Sequence, residues 1–106
     1  MKHKVAELEG ALLDAAVAMA EGLDADLVRG GYAPSRRWHD GGPIIERERI
    51  TVLAQVVVHS GVALNRVDET WEAERGDGSR MPGQTPLIAA MRAYVASKFG
   101  DEVELP

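Results

Sequence analysis

The sequence predicts an α+β fold in which two main helices pack on a small antiparallel sheet, with a long central loop. Apolar residues recur at helical spacing in residues 8–22 and 86–100, and they alternate with a period of two in residues 50–59. Residues 23–43 contain too many glycines and prolines for long regular elements. Because 106 residues suit one domain, residues 1–106 are predicted to fold as a single unit.

The N-terminal segment is predicted to form a short edge strand at residues 2–5 and then the first helix. Apolar residues of this helix recur mostly three or four positions apart, whereas Glu7, Asp14 and Glu21 recur every seven positions on another face. Gly22 is a natural end for the helix, since glycine adopts the left-handed backbone conformation without strain. The pattern indicates an amphipathic helix.

A long central loop is predicted for residues 23–43. The residues that interrupt regular structure there are Gly30, Gly31, Pro34, Gly41, Gly42 and Pro43. Connections of about twenty residues are uncommon in compact domains and are usually functional or mobile. The loop is therefore the first place to look for a site, and residues 44–49 are expected to add one helical turn before the sheet.

The sheet is predicted from short strands separated by turns. Ser60–Gly61 and Asp68–Glu69 are the expected turns, and Gly76 to Gly83 is expected to be a polar loop. A last strand is expected near the C-terminal end, where Val and Leu alternate with Glu. The predicted strands are residues 50–59, 62–67, 70–74 and 102–105.

The last helix is the best-defined element, because the sequence specifies both of its ends. The Thr85 hydroxyl can cap the first turn, Pro86 suits the first helical position, and Gly100 can end the helix. Arg92 lies beside the apolar stripe of this helix. We expect it either to pair with a carboxylate such as Glu46 or to reach the surface along its aliphatic stem.

Composition excludes several classes of protein. Without cysteine the chain has no disulfide, thiol nucleophile or thiolate metal site, which is compatible with a reducing cytoplasm. We predict no membrane span and no exported leader, because the apolar runs are too short. The net charge is −5, and residues 29–49 are locally basic. An acidic chain is a poor general nucleic-acid binder, because phosphate neutralisation drives that binding.

The candidate binding site is a cluster in the central loop. Its residues are Arg36, Arg37, Trp38, His39, Gly41 and Gly42. Two guanidinium groups could bind phosphate or carboxylate, an indole could stack on a base, and free glycine N–H groups could hold an anion. In the alternative interpretation, Trp38 packs over the sheet as part of the core and the arginines are simply solvated.

No catalytic residue, metal site or cofactor is predicted. A metal site would have to use the side chains of His39, Asp40, Glu46 and Glu48. Their spacing matches no established ligand pattern. Ser35 and Ser60 each lie near a histidine in the sequence, but no nucleophile motif surrounds either one. These observations favour a protein that is not an enzyme.

Three segments of the chain together resemble a known family. They are LEGALLDAAVAMAEG (residues 8–22), PSRRWHDGGPIIERERI (residues 34–50) and GQTPLIAAMRAYVASKFGDEVEL (residues 83–105). They are similar to the phage NinX-like family, which comprises small bacteriophage and prophage proteins of unknown function. The resemblance implies a phage or prophage origin and residence in the cytoplasm of the bacterial host. It supplies no catalytic residues.

We therefore expect a non-enzymatic accessory protein whose central loop binds a host or phage protein. Trp38, Arg36 and Arg37 are the expected anchors, since interface hot spots favour Trp and Arg. Three alternatives stay open. The same basic loop could bind nucleic acid, although the net charge disfavours it; the chain could be a small enzyme acting on an anionic metabolite; or its Ala-rich first helix could serve only to form a homo-oligomer.

Overall fold

The computed structural model describes the backbone of residues 1–60 and 65–106 and the side chains of residues 1–56 and 69–106. Within these residues the helices are α1 (Gly10–Ala20), α2 (Trp38–Glu48) and α3 (Pro86–Phe99), with 3₁₀ turns at Val5–Glu7 and Ala25–Gly30. The strands are β1 (Lys2–Lys4), β2 (Thr51–Ser60), β3 (Asn65–Glu74), β4 (Arg80–Gly83) and β5 (Glu102–Glu104). The predicted α+β class is confirmed, with three main helices where two were expected.

The described strands form two separate antiparallel sheets. The larger sheet has the order β2-β3-β4, so β2 is an outer strand, and the smaller sheet joins β1 to β5. In the smaller sheet His3 lies opposite Val103. The predictions of a strand near each end of the chain are therefore confirmed, although these strands pair with each other and not with the larger sheet.

The larger sheet differs from its prediction at two points. The turn expected at Asp68–Glu69 is wrong, because both residues lie within β3 and pair with Val57 and Val56 of β2. The polar loop expected to run to Gly83 is also wrong, since its last four residues form β4. The turn at Gly61 and the start of the strand predicted from Val62 fall outside the described residues, whereas the end of that strand, from Asn65, lies in β3. β4 was not predicted because the residues around it are mostly polar or glycine, although its Met81 is buried in the core.

Helix α3 lies at the centre of the fold. Most of it, from Leu87 to Val95, is buried, and both predicted ends are confirmed. The Thr85 hydroxyl accepts a hydrogen bond from the Ile88 N–H at 3.1 Å, and Gly100 follows the helix with φ 86°. A helix that is apolar on nearly all sides must be covered on all sides, which explains why α1, α2 and both sheets pack around it. No helix of the described residues has the length and hydropathy of a membrane span.

Helix α2 begins within the segment that was predicted to be a loop and takes its last residues, 38–43. The sequence Gly41-Gly42-Pro43 lies inside this helix, so the central loop is shorter than predicted and ends at Arg37, and the helical turn expected from residue 44 is the second half of α2. Packing overrides the poor helix propensity of these residues. Ile44 is buried in the core, and Gly41 lies so close to Pro34 that a side chain there would meet the Pro34 carbonyl oxygen at 2.3 Å. A second close approach places Gly83 of β4 against the Ala89 backbone of α3.

Candidate functional site

The six residues of the predicted site lie at the start of α2. Arg36 and Arg37 end the short segment that leads into the helix, and Trp38 is the first helical residue. His39, Gly41 and Gly42 lie in the helix itself. The structure therefore places the cluster on a helix N-terminus and the residues before it. That these residues bind a partner stays a prediction.

Trp38 lies on the surface. Its exposed fraction is 57%, which makes it one of the large hydrophobic residues most open to solvent in the described chain. The alternative interpretation, in which Trp38 is part of the core, is wrong. The reason is its position as the first residue of α2, while Ile44 and Gly41 supply the buried face of that helix.

The anion cradle expected at the two glycines is wrong. The Gly41 N–H donates to the Arg37 carbonyl oxygen at 2.9 Å, and Gly42 lies one position further into the helix, where N–H groups bond to the preceding turn. Gly41 is also buried. Its role is the close approach to Pro34 and Leu87, which allows α2 to lie against α3.

A buried carboxylate holds the segment before α2 in place. Asp14 of α1 is fully buried, and its Oδ1 accepts a hydrogen bond from the Ser35 backbone N–H at 2.7 Å. Its Oδ2 accepts from Arg36 Nε at 3.0 Å and from Arg36 Nη2 at 2.9 Å. One of the two predicted anchor arginines is therefore already committed to an internal ion pair. The spacing of Glu7, Asp14 and Glu21 predicted a polar face for Asp14, so this buried role was not predicted.

A second hydrogen bond fixes the same segment from the α2 side. The Asp40 carboxylate in the first turn of α2 accepts a hydrogen bond from the Ala33 N–H at 2.9 Å. Acidic residues are favoured near a helix N-terminus, because the helix dipole is positive there. Together the two carboxylates tie the segment to both flanking helices, so Trp38 projects from a fixed backbone.

A groove of about 320 Å³ opens beside Trp38. We call it the α2–α3 groove, and it is lined by Ser35, Arg36, Trp38, Thr85, Pro86, Leu87 and Ile88. One wall is the segment that enters α2, and the other is the N-cap and first turn of α3. None of the lining residues is acidic. The groove was not foreseen, since it depends on two segments that are about fifty residues apart in the sequence.

Ser35 is the unusual residue of the α2–α3 groove. Only 2% of the residue is exposed, and its hydroxyl has no hydrogen-bond partner among the described residues. Buried hydroxyl groups are normally paired, because leaving one without a partner loses the hydrogen bonds it would make in water. From the sequence, Ser35 is a candidate only as a nucleophile near His39. His39 is exposed, whereas Ser35 is buried.

Arg37 differs from Arg36 in its surroundings. It is exposed, and within the part of the chain that the structure describes no carboxylate forms a salt bridge with it. Trp38 lines the α2–α3 groove, and Arg37, which precedes it in the chain, is exposed but does not line the groove. Arg36 lines the groove and is partly neutralised by Asp14. This arrangement suits recognition of a partner that carries apolar and negatively charged groups.

A separate cluster of charges joins α1, α2 and α3 on another part of the surface. Arg47 donates to both carboxylate oxygens of Glu21, at 3.0 and 2.6 Å, and to Glu48 at 2.8 Å. The Tyr94 hydroxyl donates to the same Glu21 carboxylate. The hydrogen bond from Arg47 holds the pKa of Glu21 below its usual value, and burial raises the pKa of the Tyr94 hydroxyl. Glu48 also accepts from Arg75, so the cluster reaches the residue that follows β3.

Arg92 neither pairs with Glu46 nor reaches the surface, so both expectations for it are wrong. It is 8% exposed, and it donates to the Leu8 carbonyl oxygen at 2.8 Å and to the Pro82 carbonyl oxygen at 2.9 Å. Burial lowers the pKa of its guanidinium. Arg92 thus joins α3 to the segment before α1 and to β4, which is a structural role.

In the described parts of the chain no group of three or more His, Asp or Glu side chains is placed to hold a metal ion.

Comparison with known proteins adds one positive finding. The model of the family described as Bacteriophage P22, NinX, matches residues 25–98. The matched region covers well over half of the chain and includes both walls of the α2–α3 groove. No curated protein matches the chain.

Proposed function

The chain belongs to the Bacteriophage P22 NinX family, and from this premise we propose that it is a non-enzymatic accessory protein that binds another protein in the bacterial cytoplasm. The binding surface is the start of α2, with Trp38 and Arg37 as anchors. Arg36 contributes from the edge of the same surface. The partner is a host or a phage protein.

The observation that carries this proposal is the exposed, rigidly held Trp38. An indole that is 57% exposed keeps a large apolar surface in water, and burying it in an interface is favourable. The hydrogen bonds that the backbone N–H groups of Ser35 and Ala33 donate to Asp14 and Asp40 fix the backbone before it, so little ordering remains when a partner binds. Trp and Arg are also the residues most enriched among those that dominate binding energy.

Nucleic acid is the second candidate, because Trp38 and Arg37 could stack on a base and contact a phosphate. The net charge of −5 opposes this function, since each phosphate contact must be made against the field of an acidic protein. The two functions differ in salt dependence. Nucleic-acid affinity falls steeply with salt, whereas an interface that depends mainly on Trp38 responds weakly.

The experiment is an affinity capture with the tagged full-length chain expressed in a bacterial host. The lysate is treated with nuclease, and captured proteins are identified by mass spectrometry for wild type, Trp38→Ala and Phe99→Ala. Phe99 is a matched control, because it is an aromatic residue that is 40% exposed at the opposite end of α3. We expect one abundant protein that is lost with Trp38→Ala and kept with Phe99→Ala.

Thermal melting of the three proteins separates binding from folding. Trp38→Ala should melt within a few degrees of wild type, because the side chain lies mostly in water. A captured protein that survives both substitutions, or a Trp38→Ala variant that does not fold, would contradict the proposed surface.

A further inference from the structure

We propose that the α2–α3 groove binds a segment of the partner protein in which an apolar side chain is followed closely by a carboxylate. The apolar side chain fills the groove beside Trp38, and the carboxylate accepts hydrogen bonds from the Ser35 hydroxyl and the first turn of α3. This inference rests on the proposed function and adds the chemistry of the ligand to it.

The Ser35 hydroxyl is an unsatisfied hydrogen-bond donor. It is buried in the wall of the groove and has no acceptor among the described residues. The backbone N–H of the same residue is already bonded to Asp14, so the hydroxyl is the donor that Ser35 still has available. A ligand oxygen that accepts from this hydroxyl removes an unfavourable buried group, and a charged acceptor does so most strongly.

The N-terminus of α3 forms the opposite wall of the groove. Thr85 caps the Ile88 N–H and Pro86 has no N–H, which leaves the Leu87 N–H as the first-turn donor without an intrahelical carbonyl. The fourteen-residue helix directs the positive end of its dipole to the same place. A carboxylate at a helix N-terminus is stabilised by both effects.

The groove also offers apolar surface to the side chain of the ligand. Four lining residues offer hydrophobic surface, namely Trp38, Pro86, Leu87 and Ile88. The volume of about 320 Å³ is at the lower end for ligand pockets, which suits one or two side chains of a segment that continues across the surface. A whole folded element would not fit.

Charge determines the sign of the ligand. The groove has no acidic lining residue, and the buried carboxylate of Asp14 behind its wall is engaged by Arg36. A cationic segment would therefore find no carboxylate to pair with among the lining residues. A strand of nucleic acid would need several phosphate contacts, whereas the groove offers donors for one anionic group.

The test uses two small probes and the full chain labelled with ¹⁵N. N-acetyl-L-leucine carries an apolar side chain next to a carboxylate, and N-acetyl-L-leucinamide is its neutral counterpart. A probe of about a dozen heavy atoms should bind with a Kd of a few millimolar. We expect saturable shifts at the Ser35 and Leu87 amides and the Trp38 indole, with the amide probe at least about fivefold weaker.

Ser35→Ala is the decisive variant, with Ser97→Ala as its control. The Ser35 hydroxyl makes no hydrogen bond among the described residues, so its removal should leave the melting temperature unchanged or higher. It should weaken N-acetyl-L-leucine binding about tenfold. Ser97, whose hydroxyl donates to the Tyr94 carbonyl at the other end of α3, should not affect binding.

Three results would overturn the inference. They are equal affinity for the two probes, no saturable shift up to about 20 mM, and tighter Trp38-dependent binding of a twelve-nucleotide oligothymidylate. Failure here is distinct from failure of the proposed function. A Trp38-dependent partner found without probe binding would leave the protein-binding function standing and reject only the acidic ligand.

Discussion

Asp14 and Arg36 form an ion pair of 2.9 Å that joins the middle of α1 to the segment entering α2. The carboxylate is fully buried, while about half of the arginine side chain is exposed. The same carboxylate accepts the Ser35 N–H, so one acidic residue determines the path of the chain along one wall of the α2–α3 groove. The position of the candidate site therefore depends on a group in the core.

Asp14→Asn should lower the free energy of unfolding by about 2 to 4 kcal/mol. The amide keeps the shape of the side chain, but it loses the charge that Arg36 and the Ser35 N–H both contact. Urea denaturation at neutral pH measures the change. Asp24→Asn is the control, since Asp24 is exposed and caps only a short 3₁₀ turn. An equal effect of the two substitutions would show that the buried pair contributes nothing special.

Gly41→Ala and Gly42→Ala should change stability in opposite directions. A methyl group at Gly41 would lie 2.3 Å from the Pro34 carbonyl oxygen and 2.8 Å from Leu87, so we expect a loss of about 3 kcal/mol or an unfolded protein. At Gly42 nothing lies within 4 Å, and alanine in the helix should add about 0.5 to 1 kcal/mol. Thermal melting of both variants checks the pair. Two changes of the same sign would be incompatible with the observed packing of α2.

Arg92→Lys should destabilise the fold by about 1 to 3 kcal/mol. Two separate nitrogens of the guanidinium donate to the Leu8 and Pro82 carbonyl oxygens. The single ammonium nitrogen of lysine cannot reproduce both hydrogen bonds in this geometry. Arg92→Met should be worse, because it leaves both carbonyls without this donor. Arg29→Lys, at an exposed position, serves as the control and should be close to neutral. A stable Arg92→Met variant would contradict the bridging role.

Glu21→Gln should lower the free energy of unfolding at neutral pH by about 1 kcal/mol. The loss is small because half of the Arg47 side chain is exposed, so solvent screens the ion pair. Because Arg47 holds the folded pKa of Glu21 below its ordinary 4.5, the wild-type advantage is fully present above about pH 4.5. It is lost as the pH falls through the lowered value. Urea titrations from pH 7 to about pH 3 measure the gap between the two proteins. The gap for the exposed control Glu7→Gln should stay small throughout.

Local signals were sufficient where an element carries its own end markers. The Thr85 cap, Pro86 at the first position and Gly100 after the last turn all act within a few residues, so α3 could be predicted from the sequence. Strand β5 was also predictable, because its alternation of Val and Leu with Glu is a local signal. Helix α2 was not, because its stability comes from the close approach of Gly41 to Pro34 and Leu87. Leu87 is distant in the sequence, and a Gly-Gly-Pro run gives the opposite local signal.

The candidate site divides in the same way. Trp38, Arg36 and Arg37 could be selected as candidates from the local sequence, which left open whether Trp38 is exposed or part of the core. The roles of Ser35 and Asp14 could not, because one is defined by an unpaired hydroxyl and the other by a contact between distant segments. The apolar neighbours of Asp14 in α1, Leu13 and the residues of the following turn, were a signal that it is buried. The seven-residue spacing of Glu7, Asp14 and Glu21 instead predicted a polar face.

The hydrogen bond between the Ser35 N–H and the buried Asp14 also limits how this surface can respond to a partner. Rearranging the segment before α2 would expose a carboxylate from the middle of α1, so the surface cannot adapt without opening the core. The backbone of this surface should therefore change little when a partner binds. Most of the conformational entropy lost on association is then lost by the partner. Partners of this surface should accordingly be flexible segments that take up the shape they meet.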